Sequence, residues 1–203
     1  MKYFTPKSSD AINIISEEEE RKYSFQRLPD KYKNKIRKEV WNLSENNAGI
    51  NIQIRTNTRN LKIEWSVKLD FKMNHMTDAG IKGLDIYQYE DRKWQYLSTG
   101  LPNSSKNKHT IKFKNVNDKV LCFYLPLYDS IVDFKIGVGN KSNLKFLKNN
   151  NKPIVFYGTS ITQGGCASRP GMAHTNIISR NTIYPCINLG FSGNGHLEAE
   201  IGN

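Results

Sequence analysis

PIVFYGTSIT (153–162) is the stretch on which the fold of this chain turns. It is a continuous apolar run, Ile154 to Tyr157, closed by Gly158 and followed at once by Thr159 and Ser160. An apolar run without period-two alternation is expected of a parallel strand buried on both faces. The chain passes next through a helical stretch, MAHTNIISRN (172–181), to a second apolar run, IYPCINLG (183–190). Strand, helix, strand is the opening of a parallel α/β layer. Such sheets gather reactive groups beyond the carboxyl ends of their strands, so Ser160 and the Gly-rich turn NLGFSGNG (188–195) are expected on one rim.

Upstream of this unit the character of the sequence differs. GNKSNLKFLKNNNK (139–152) is polar and turn-like, with the composition of a linker. Before it, INIQIRTN (50–57) sets Ile50, Ile52 and Ile54 on one face, and LKIEWSVKL (61–69) does the same with Leu61, Ile63, Trp65, Val67 and Leu69. That alternation marks half-buried antiparallel strands. GLDIYQYE (83–90), KWQYL (93–97), HTIKFKN (109–115), KVLCFYLP (119–126) and IVDFKIGV (131–138) continue the pattern, with Asn, Gly and Asp in the turns. Many short strands without intervening helices predict a β-sandwich. The acidic run Glu17–Glu20 is expected in a solvated turn or short helix ahead of it. The organisation read from the sequence is therefore a jelly-roll-like β-sandwich over 1–148, then the first part of a flavodoxin-like α/β domain over 149–203.

Thirty Lys and Arg against 19 Asp and Glu give a net charge of +11. The lysines are scattered among asparagines, as in KYKNKIRK (31–38), and no nucleic-acid-binding motif accompanies them. Charge without such a motif reads as a solvated surface, so no nucleic-acid partner is expected. Cys122, Cys166 and Cys186 form no metal-ligand spacing, and Cys122 and Cys186 read as small buried hydrophobes. No metal or cofactor is expected, no apolar run suggests a membrane partner, and the N-terminus as given shows no leader.

The chemistry-bearing candidates lie in the two strand-end turns. A Ser on a strand-to-helix turn can present its hydroxyl while the following N–H groups bind an oxyanion; it can equally serve as a helix N-cap. Glycines after the second strand would let backbone approach a substrate, or simply make a tight turn. Taken together, the turns are more specific. PIVFYGTSIT resembles the nucleophile block of the SGNH (GDSL-type) hydrolases, and NLGFSGNG resembles the block that supplies their oxyanion glycine. GTSITQGGCASRPGM (158–172) is similar to a subgroup carrying an N-terminal β-domain with a G-x-D-L-Y motif, present here as Gly83-Leu84-Asp85-Ile86-Tyr87 with Ile for Leu.

The resemblance, which runs from about Phe25 to Glu198, implies Ser160 as nucleophile, with its own N–H and that of Gly193 in the oxyanion hole. Thr159 stands where many members carry Asp. Asn194 would contact substrate, and Arg169, like Cys166, would either line the pocket or hold the loop. The family pattern continues to an oxyanion Asn and a D-x-x-H supplying base and orienting acid. Neither occurs before Asn203, so the chain is expected to stop short of them and to be a poor catalyst by itself. His174 and His196, like His75 and His109, are read as loop or surface residues and not as a substitute base. The implied activity is removal of short acyl groups, acetyl above all, from a small-molecule or polysaccharide ester. The alternative is a glycan-binding sandwich with an inert hydrolase segment, in which Trp41, Trp65 and Trp94 are either stacking surface or core. The resemblance leans towards a secreted or periplasmic protein, and an incomplete sheet suggests self-association.

Overall fold

The computed structural model of the chain describes residues 1–15 and 19–202. Glu17 and Glu18 of the acidic run lie outside them; Glu19 pairs with Lys31 at 2.8 Å. Among the described residues ten strands build the sandwich: β1 (Lys2–Phe4), β2 (Ala11–Ile12), β3 (Asn51–Thr56), β4 (Asn60–Val67), β5 (Leu84–Glu90), β6 (Lys93–Gly100), β7 (Lys106–Lys112), β8 (Lys119–Tyr124), β9 (Ile131–Val138) and β10 (Leu144–Leu147). One sheet runs β1-β9-β4-β7; the other runs β10-β3-β8-β5-β6, with β2 also paired to β3, and every pairing is antiparallel.

Period-two alternation explains the core. Ile52 and Ile54 of β3, Ile86 of β5, and Leu121 and Phe123 of β8 face Leu61, Ile63, Trp65 and Val67 of β4 and Phe134 and Ile136 of β9 in one buried cluster. Leu69 departs from the expected stripe: it lies beyond the end of β4 and is exposed. The stretch read as a linker contains β10, whose residues pair with β3 from Leu144↔Thr56 to Leu147↔Gln53.

The second unit holds a two-stranded parallel sheet, β11 (Ile154–Gly158) and β12 (Cys186–Gly190). Between them lie α3 (Ser160–Gln163) and α4 (His174–Asn181). β12 is buried along its whole length. β11 is not covered on both faces as expected: Ile154 and Val155 are 38% and 54% exposed. Each strand has one partner among the described residues; the physical reason for the difference is that β12 is packed on both faces, by the N-terminal segment and by α3 and α4, whereas the start of β11 is not. The apolar residues Ile183 and Tyr184 likewise lie before β12 and are exposed.

Two short helices interrupt the strand series, α1 (Lys38–Ser44) and α2 (Asp78–Lys82). In α1, Val40, Trp41 and Ser44 fall on one side of a 3.6-residue turn and are buried. Val40 and Trp41 pack with Leu28 against Ile187, Leu189 and Phe191. The alternate β12 side chain, Asn188, points the other way and donates to Thr162 O (2.6 Å) and Thr175 Oγ1 (3.0 Å). The segment ahead of β3 thus covers one face of the parallel sheet while α3 and α4 cover the other.

Candidate active site

The register of the parallel pair runs from Ile154↔Cys186 to Gly158↔Gly190. Each strand therefore ends on a glycine at the same height, and two residues further on stand Ser160 and Ser192. Gly190 has to be a glycine, because a Cβ there would lie 2.1 Å from the Gln163 backbone nitrogen. α3 sits that close to β12.

Ser160 opens α3 and is half-buried; its hydroxyl has no hydrogen-bond partner among the described residues. Its carbonyl is held by the N–H groups of Gly164 (3.0 Å) and Gly165 (2.7 Å) and by the Tyr128 hydroxyl (3.3 Å). Gly164, at φ +112°, stops the helix after one turn. As the first helical residue, Ser160 has a backbone N–H without an intrahelical acceptor. Across the rim the chain turns through Phe191 N–H to Gly158 O (2.9 Å) and Asn194 N–H to Phe191 O (2.8 Å). Gly193 is the exposed tip of this turn, at φ +69° with open space around it.

Gln163, fully buried, ties the two turns together. Its side-chain oxygen accepts from Ser192 N–H (2.9 Å), next to Gly193, and its amide donates to Asn46 Oδ1 and Leu127 O, both at 3.1 Å. Tyr128 adds a second tie, and burial raises its phenol above the usual tyrosine value, so it remains a donor at neutral pH. Arg27, buried and stacked 4.9 Å from the Phe191 ring, donates to Gly190 O (2.6 Å), Leu43 O (2.6 Å), Asn46 O (3.0 Å) and Asn188 O (3.2 Å). Burial lowers this guanidinium to about 9, which leaves it charged at neutral pH. Sequence reasoning missed Gln163, Arg27 and Tyr128; a polar residue at an otherwise unremarkable position carries no pattern to betray it.

The two candidates for substrate contact are both engaged with protein. Arg169 NH1 bonds Asp85 Oδ2 (2.6 Å) and the Tyr87 hydroxyl (2.8 Å), and its guanidinium lies 4.2 Å from the Tyr96 ring centroid. Asp85, fully buried, also accepts from Gly171 N–H (2.8 Å) and Thr99 Oγ1 (2.7 Å). The Asp and Tyr of the G-x-D-L-Y motif thus hold the loop that follows Ser160. Asn194 Oδ1 and its carbonyl accept from Arg37 (2.9 and 2.8 Å), and Arg37 also pairs with Glu198. His174 packs its ring edge-on against Phe156, His196 is exposed, and neither hydrogen-bonds the Ser160 hydroxyl. Cys166 is exposed, while Cys122 and Cys186 are buried, as is Trp65; Trp41 is 6% exposed and Trp94 half-buried. Among the described residues no cluster of His, Cys, Asp and Glu could hold a metal ion, and no helix is long and apolar enough to cross a membrane.

Residues 1–144 match the GxDLY model, which describes the N-terminus of SGNH-hydrolase-type esterases. The chain belongs to the SGNH/GDSL-type hydrolase family. Residues 151–203 match the GDSL-like lipase/acylhydrolase family. Among solved structures, a protein of Bacteroides ovatus ATCC 8483 described as GDSL-like lipase shares 32% identity over 98% of this chain, with a TM-score of 0.89. A salicylyl-acyltransferase from a tetracycline biosynthetic pathway superposes over 96% of the chain (TM-score 0.73, 14% identity). A family two carbohydrate esterase from Clostridium thermocellum, solved with cellohexaose, covers 74% (TM-score 0.51, 14% identity). The last two likenesses are ones of fold. This SGNH-type chain spans 60%, 55% and 49% of the lengths of those three proteins. No curated protein matches the sequence.

Proposed function

We propose that this chain carries the nucleophile half of a serine ester hydrolase, in which Ser160 forms an acyl-enzyme. The observation that carries the reading is the placement of an unpartnered Ser160 hydroxyl and the Gly193 turn at the ends of two register-matched parallel strands. Ser160 Oγ attacks the ester carbonyl, the alcohol oxygen leaves with the proton taken from Ser160, and water then releases the acid. The N–H groups of Ser160 and Gly193 serve the developing oxyanion; losing one such donor costs about 3–4 kcal/mol of barrier. The base that shuttles the proton comes from the D-x-x-H of the family pattern, which does not occur in residues 1–203. Arg169 and Asn194, bonded to Asp85, Tyr87 and Arg37, hold the two turns and stand where they would contact substrate.

The substrate belongs to this reading by likeness of fold: short acyl groups, acetyl above all, on a carbohydrate, since a family two carbohydrate esterase from Clostridium thermocellum superposes on 74% of this chain. Residues 1–148 act as the sandwich domain and 149–203 as the start of the hydrolase domain. The exposed Ile154 and Val155 of β11 offer an edge for self-association. The test is an assay of the polypeptide from the complete reading frame on 4-nitrophenyl acetate, butyrate and octanoate and on acetylated xylo-oligosaccharide. The expected result is hydrolysis that prefers acetyl and falls at least about 10³-fold in Ser160→Ala. Hydrolysis that survives the substitution would overturn the role of Ser160. Xylan binding without any hydrolysis would establish the sandwich as a binding module instead.

A further inference from the structure

Away from Ser160, the β5–β6 hairpin and the end of α4 enclose a cleft of about 460 Å³. We propose that this cleft binds an anionic pyranose, a uronate residue of an acidic polysaccharide. Its floor is aromatic: Tyr89 and Trp94 meet edge to face with centroids 5.2 Å apart, and Tyr89 is 46% exposed. An exposed aromatic face of this kind suits the apolar face of a sugar ring. Its walls are cationic. Arg92 stands on the hairpin turn, where Asp91 and Arg92 both take positive φ (50° and 62°), Lys93 opens β6, and Arg180 closes the other side from α4. None of the three forms an ion pair among the described residues, and the nearest carboxylates in sequence, Glu90 and Asp91, do not line the cleft.

Arg180 is the most telling of them. Its guanidinium lies 4.1 Å from the Tyr87 ring centroid and 5.2 Å from that of Tyr124, and its NH1 is sealed from solvent without an acceptor. A guanidinium held between rings, with no carboxylate to offset it, leaves an uncompensated positive field at the cleft. Asn181 and Thr182 complete the match. One Asn181 amide N–H is used on Ile177 O and the Thr182 hydroxyl donates to Tyr184 O, which leaves the Asn181 carbonyl and the Thr182 oxygen as acceptors for ring hydroxyls and the second Asn181 N–H as a donor. Cations for a carboxylate, acceptors for hydroxyls and one aromatic platform together describe a uronate. A single-stranded nucleic acid fits less well, because it needs successive stacking platforms along a track, and this cleft has one.

The test is calorimetric titration of the chain with tri-galacturonate at low and physiological salt, with xylotriose and an eight-nucleotide oligo-dT as controls. Tri-galacturonate should bind, more weakly as salt rises, and at least tenfold more weakly in the Arg92→Gln/Lys93→Gln double variant and in Trp94→Ala. The three side chains stand on an exposed hairpin, and unchanged circular dichroism confirms that the variants fold. Ser160→Ala should bind as the parent does, so this proposal stands or falls apart from the hydrolase reading. No binding at low salt, or xylotriose binding as tightly, would sink it. Tighter binding of oligo-dT, weakened by the same variants, would make the cleft a polyanion site and overturn the uronate assignment.

Discussion

Arg169 and Asp85 meet at 2.6 Å although 84 residues separate them, and this ion pair joins the loop after Ser160 to strand β5 of the sandwich. The pair is lopsided: the Asp85 side chain is fully buried, whereas that of Arg169 keeps 25% of its surface exposed. Removing Arg169 therefore strands a buried charge, while removing Asp85 frees an arginine that water can reach. Arg169→Ala is expected to cost about 3 kcal/mol, and Asp85→Ala at least as much, because it also takes the acceptor from the buried Gly171 N–H and from Thr99 Oγ1. Arg169→Lys should recover only part of the loss, since an ammonium cannot both reach Asp85 and Tyr87 and stack on Tyr96. Urea unfolding of the three variants checks the order; a smaller loss in Asp85→Ala than in Arg169→Ala would refute it.

Gln163 makes a second connection, from the sandwich to the backbone beside Gly193. Replacing it by Ala leaves Asn46 Oδ1, Leu127 O and Ser192 N–H without partners in a buried place, at an expected cost of about 3 kcal/mol. Gln163→Glu keeps the shape but turns two donor bonds into repulsive contacts with oxygen atoms, so it should be no better tolerated. Under the proposed hydrolase reading the loss should fall on kcat more than on KM, because the Ser192–Gly193 turn is proposed to touch the transition state. Steady-state kinetics on 4-nitrophenyl acetate separate the two, and a pure KM effect would remove Gln163 from this role.

How much of this was visible in advance depended on whether a residue's partner lay near it in sequence. The sandwich was legible because alternation in Ile50–Ile54 and Leu61–Val67 is a local property, and each strand displays it unaided. Ser160 and Gly193 were legible because glycines and a serine follow apolar runs within a few residues. α1 was not, since its apolar face of Val40 and Trp41 is too short to show a helical period, and its purpose is to cover Ile187 and Leu189, almost 150 positions away. The same holds for Asp85: the motif was recognisable, but its grip on Arg169 and Gly171 exists only once the two units dock. Trp in a small β-domain is more often core than stacking surface, and burial bears that out for Trp41 and Trp65, while Trp94 is half-exposed on its hairpin.

His109 supplies a pH signature of the sandwich. It lies opposite Ile63 in the β4–β7 register, meets the Ser98 hydroxyl at 2.7 Å, and burial lowers its folded-state value below the ordinary 6.5. The unfolded chain therefore takes up a proton before the folded one does. Stability from this group is full above pH 6.5 and declines as pH falls below it, until the folded value is also passed. Urea midpoints should drop from pH 7 towards pH 5, and His109→Gln should flatten that slope. An unchanged slope in the variant would show that another group sets it.

The two strand-end glycines separate what the fold needs from what the chemistry needs. At Gly190 a Cβ would lie 2.1 Å from Gln163 N and 2.5 Å from the Thr162 carbonyl carbon, both backbone atoms that cannot swing aside. Gly190→Ala must push α3 off β12, and overpacking of this kind costs about 3 kcal/mol or more. At Gly193 a Cβ meets nothing within 4 Å, so only the left-handed backbone at φ +69° is strained. Gly193→Ala should fold with a loss of about 1 kcal/mol. Its Cβ and any change in φ would nonetheless act where the ester oxygen is proposed to sit, so under the hydrolase reading kcat falls far more than stability. Thermal melts paired with acetate-ester kinetics on both variants decide the matter: Gly193→Ala with parental activity would take its N–H out of the oxyanion site, whatever Gly190→Ala does to the fold.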